Sequence, residues 1–70
     1  DGAGYVFLAE QVLAIDKFNP QVASRMLGAF RSWRALEPER RRLARRALQS
    51  VARTKGLSRD ATEIVSRVLE

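Results

Sequence analysis

The sequence predicts an all-α fold, four antiparallel helices arranged as two helical hairpins. Apolar residues recur at helical spacing, at Val22, Met26, Ala29, Phe30 and Trp33, with Ala23 and Leu27 widening the stripe, and again at Ala61, Ile64, Val65, Val68 and Leu69. Capping residues and prolines stand where such helices would begin, at Asn19-Pro20, Glu37-Pro38 and Ser58. No stretch alternates apolar and polar residues in the manner of a strand. The helices are expected over residues 4–16, 20–34, 38–54 and 59–69, in a single unit of 70 residues.

The two glycines within Asp1 to Gly4 read as a loop arriving at the first helix. Tyr5 to Ile15 then runs YVFLAEQVLAI, with only Glu10 and Gln11 polar. A helix apolar on nearly all sides is a buried one. It offers Tyr5, Leu8, Val12 and Ile15 on one face and Val6, Ala9 and Leu13 on another. The second helix can cover only one of these faces. The Val6, Ala9 and Leu13 side is therefore expected to lie against protein outside this chain, or to drive self-association. A chain that begins with Asp1 rather than Met also reads as a piece of something longer.

Asp16, Lys17 and Phe18 form a short link, which implies an antiparallel hairpin. Asn19 caps the second helix and Pro20 occupies its first position, where a missing N–H costs nothing. Counting outward from the turn pairs Ile15 with Val22, Val12 with Met26, Leu8 with Ala29 or Phe30, and Tyr5 with Trp33. Glu10, in a helix read as buried, requires a partner, and Arg25 is the expected one.

Pro38 opens the third helix, with Glu39 at its positive end and Leu43, Ala44, Ala47, Leu48 and Val51 as its apolar face. Gly56 is expected to end it in the left-handed conformation. Ser58 caps the fourth helix, with Asp60 in the first turn. Two consecutive hairpins are the unit of a HEAT-like or armadillo-like superhelix, although no sequence repeat relates them.

With neither cysteine nor histidine, the chain has no disulfide and none of the usual zinc ligands. No serine or lysine has an evident activating base, so no catalytic residue is assigned, and no cofactor-binding or metal-binding one. No apolar run approaches the roughly 20 residues that span a bilayer. The net charge is +5, and eleven of the thirteen basic residues are Arg. Arg42, Arg45, Arg46 and Arg53 lie opposite the apolar face of the third helix. A solvated surface is the commoner cause of such a run. A docking face for nucleic acid or an acidic protein is the alternative.

DGAGYVFLAEQVLAIDKFNPQVASRM, the Trp33-Arg34 pair and GLSRDATEIVSRVLE together cover almost the whole chain. In these stretches it resembles the extreme C-terminal segment of the bacterial aminopeptidase N family, alanyl aminopeptidases of the gluzincin class. It departs at Thr62, where that family carries an aromatic, and in its Ala- and Arg-rich third helix. The resemblance implies a cytoplasmic parent holding one zinc through an H-E-x-x-H helix and a downstream Glu. It also implies a G-x-M-E-N loop that binds the substrate's free amine. None of those motifs occurs here. By the same resemblance, the segment closes an α-superhelix that walls the peptide-access cavity and is itself non-catalytic. Its partners would be the upstream helices, the catalytic domain and, through the parent, peptide substrates. The reading from another class is an independent basic helical module acting through the Arg face.

Overall fold

The computed structural model describes residues 2–70. Helix α1 spans Gly2–Asp16, α2 Pro20–Gly28, α3 Pro38–Ala52 and α4 Arg59–Leu69. A 3₁₀ helix, Ala29–Ala35, follows α2 directly. Among the described residues there is no strand, and no helix is long and apolar enough to cross a membrane.

The hairpin α1–α2 lies against the hairpin α3–α4, with α1 packed on α3 and α2 on α4. Between the layers sits one core, built from Ala9 and Val12, Ala23 and Leu27, Trp33, four residues of α3, and Ala61, Val65 and Val68 of α4. Alanines at four of the core positions on α1, α2 and α3 let the helix backbones approach closely, so the larger side chains of the other positions fill the space between.

Helix starts follow local chemistry. The Asn19 side chain accepts from the Val22 amide at 3.3 Å, and Pro20 stands in the first turn. Ser58 Oγ accepts from the Ala61 amide at 3.1 Å. The glycine-rich start is helical from Gly2 rather than a loop, and Asp1 lies outside the described residues. Gly56 adopts the left-handed conformation at φ 85°, but in a turn beyond the helix. Helix α3 has already closed at Arg53, whose amide donates to the Gln49 carbonyl at 3.0 Å.

The second helix is not a continuous α-helix. Its buried line is Ala23 and Leu27, expected at the edge of the apolar stripe, while Val22 and Met26, expected at its centre, are only half-buried. On an unbroken α-helix Trp33 would stand roughly 100° round from that line. At about three residues per turn, Phe30 and Trp33 eclipse one another and return to it. The tighter winding, with Ser32 in a non-helical conformation, thus keeps a large aromatic in the core. It also shifts the hairpin contacts. Tyr5 meets Phe30, with ring centroids 6.4 Å apart, and Trp33 turns to α4 instead.

Two further expectations are corrected. Ala9 is buried against α3, and Leu13 is half-buried, because the Val6, Ala9 and Leu13 side of α1 is turned partly toward the third helix. Of these three, Val6 alone is exposed. Glu10 lies on the solvated side of α1, next to the exposed Val6, so it needs no buried partner, and it makes no ion pair with Arg25. The one ion pair among the described residues joins Arg42 to Glu39 at 2.8 Å.

Candidate functional site

Helix α4 is held at both ends by side chains from distant elements. At its start, the buried carboxylate of Asp16 accepts the backbone amide of Ser58 at 2.8 Å and the Ser58 hydroxyl at 2.5 Å. That hydroxyl accepts in turn from the Ala61 amide, so one serine relays between the last residue of α1 and the first turn of α4. A carboxylate at this position also complements the positive end of the α4 dipole.

At the other end, the Trp33 indole N–H donates to the Val68 carbonyl at 2.8 Å. The Arg34 guanidinium lies 4.8 Å from the Trp33 ring centroid and donates to the Leu69 carbonyl at 2.6 Å. The last carbonyls of a helix have no partner within it. Here an aromatic N–H and a cation take two of them, and the cation suits the negative end of the dipole. The rewinding of residues 29–35 is what brings these neighbouring side chains to that end.

The helices differ in what they show to solvent. Helix α4 exposes Arg59, Asp60, Thr62, Glu63, Ser66 and Arg67, and the Thr62 hydroxyl donates back to the Ser58 carbonyl at 2.7 Å. Helix α3 exposes Arg42, Arg45 and Arg46, and Arg53 is exposed at its C-cap. Helix α1 exposes Glu10 and Gln11 but also the apolar Ala3, Val6, Phe7 and Ala14; Val6 is 56% accessible and Phe7 61%. Phe18, in the link that follows, is 78% accessible. The exposed apolar side chains of α1 are thus centred about a quarter-turn from the side expected of the sequence, with the exposed Glu10 among them.

A groove of about 590 Å³ runs between α2 and α4, with Arg25 and Arg31 on one wall and Asp60 and Glu63 on the other. Its charges cancel, and the Ser24 hydroxyl at its edge has no hydrogen-bond partner among the described residues. No group of three or more acidic, histidine or cysteine side chains is placed to hold a metal among the described residues.

Sequence reading missed Asp16 and the destination of the Trp33-Arg34 pair. Asp16 had one legible signal, an acidic residue ending a largely apolar helix. An aspartate beside a helix's negative end is unfavourable unless something else engages it.

Residues 1–70 match the model of a family described as a domain of unknown function, DUF3458_C, with ARM repeats. The chain is 38% identical over 68 residues to aminopeptidase N of Caulobacter vibrioides, covering 97% of this chain. It is 33% identical over 69 residues to aminopeptidase N of Escherichia coli and 30% identical over 69 residues to that of Haemophilus influenzae, each covering 99% of this chain. It spans about 8% of the length of each of these relatives. Stacked helical hairpins and a family match across every residue lead to one conclusion: the chain belongs to the DUF3458_C ARM-repeat family and corresponds to a C-terminal segment of aminopeptidase N.

Proposed function

We propose that this chain is the non-catalytic closing segment of a cytoplasmic, zinc-dependent aminopeptidase that removes N-terminal residues from peptides. In this reading it ends the α-superhelix that walls the peptide-access cavity. The observation that carries it is the asymmetry of the two layers. Stacked-repeat folds need a terminal unit with a polar outer face, and every other unit must offer an apolar one to its neighbour. The α3–α4 layer is polar outside and α4 is fixed at both ends. The α1 helix offers Val6 and Phe7 to a neighbour. Zinc ligands and the amine-binding loop belong, in this reading, to the remainder of the parent, since this chain has neither histidine nor cysteine. Its own contribution is mechanical.

The test is Phe7→Asp in the full-length parent. The expected outcome is a lower melting temperature and impaired exclusion of large substrates, with zinc content retained and turnover of a small aminoacyl anilide largely kept. A variant whose melting temperature and size selectivity equal the wild type's would overturn the reading.

The exposed arginines of α3 favour a second reading, an independent basic module for nucleic acid or an acidic protein. Tight binding of DNA or RNA, falling steeply with salt, would select it.

A further inference from the structure

Between the 3₁₀ helix and the start of α3 lies a second groove, of about 390 Å³, lined by Trp33, Arg34, Pro38, Arg41, Arg42 and Arg45. Four of these six side chains are guanidiniums. Arg34 is fixed by the Trp33 ring and the Leu69 carbonyl. Arg41 donates to the Leu36 carbonyl at 3.3 Å, and Arg42 pairs with Glu39. Arg45 has no such partner among the described residues. Each guanidinium carries five N–H donors and no acceptor, so most donors in the groove remain unused. Among the lining side chains and their ion-pair partner, four cations stand against one carboxylate, an excess of three positive charges. The larger α2–α4 groove, with two charges of each sign, has no such excess.

We propose that this arginine-lined groove is a polyphosphate site, taking the diphosphate group of inorganic pyrophosphate or of a nucleoside diphosphate. Planar guanidinium forks match phosphate oxygens in pairs, and the groove is within the size range of small-ligand sites. The charge decides the class of ligand. One carboxylate side chain would leave two of the three excess charges unanswered, whereas a diphosphate at neutral pH answers nearly all of them. Double-helical nucleic acid presents a charge about every 1.7 Å along its axis. It would engage the whole positive face, including Arg46 and Arg53, which lie outside the groove.

The experiment is calorimetric titration of the full chain with sodium pyrophosphate and, separately, with ADP. One site is expected. Arg45→Gln and Arg41→Gln should each weaken binding about tenfold, the loss of a charge-assisted hydrogen bond. Arg46→Gln and Arg53→Gln should leave it within about twofold. Arg45 is exposed and makes no hydrogen bond or ion pair among the described residues, so its variant separates ligand binding from folding. Tighter binding of ADP would support the site with a nucleotide as the source, and equal binding would support it with the free diphosphate. Absence of binding at millimolar pyrophosphate would overturn the proposal. So would equal weakening by all four substitutions, or displacement of pyrophosphate by duplex DNA with all four arginines contributing, since either means a diffuse cationic surface.

Discussion

The Asp16 carboxylate receives both the backbone amide and the hydroxyl of Ser58, 42 residues later in the chain. This joins the C-terminal end of α1 to the N-terminal end of α4, two helices that are diagonal to one another in the bundle. Since α1 otherwise packs on α2 and α3, the contact ties the first hairpin to the last helix by polar bonds as well as by the core.

Asp16→Ala should therefore destabilise the fold by about 1.5–3 kcal/mol, as hydrogen bonds to a charged acceptor are lost and a part-buried amide is left without a partner. Asp16→Asn should cost less, because one oxygen remains to accept. Urea unfolding of Asp16→Ala, Ser58→Ala and the double mutant checks this. The expected coupling exceeds about 0.5 kcal/mol, the size seen for residues in direct contact.

Trp33→Phe keeps most of the ring in the core and removes the indole donor to the Val68 carbonyl. The expected loss is about 1 kcal/mol, plus a smaller packing term. Hydrogen exchange should locate the effect in the last turn of α4, with protection at the start of that helix unchanged.

The register of the second helix predicts a difference between adjacent residues. Leu27 is fully buried and Met26 half-buried. Leu27→Ala should cost about 2–5 kcal/mol, and Met26→Ala distinctly less. Equal denaturation midpoints for the two variants would contradict the packing described above.

The face that α1 turns to α3 can be checked in the same way. Ala9 is buried, so Ala9→Leu should overpack the α1–α3 contact and cost about 1–3 kcal/mol. Val6→Ser, on the exposed side, should stay within about ±0.5 kcal/mol in the isolated chain. Thermal melts of the two variants suffice.

The sequence alone determined the fold class, the helix caps at Asn19 and Ser58, the helix-opening roles of Pro20 and Pro38, and the apolar faces of α3 and α4. Each depends on interactions within three or four residues, or on a periodicity that a single helix displays by itself. Tertiary structure decided the rest. Helix α1 is apolar nearly all round, so its periodicity could not say which side meets α3, and only packing turned Ala9 inward and left Phe7 outside. The 3₁₀ winding of residues 29–35 has no strong local signal. It follows from the place a buried Trp33 must reach. The partners of Trp33, Arg34 and Asp16 lie 35 to 42 residues away, and such bonds exist only once the two hairpins have stacked.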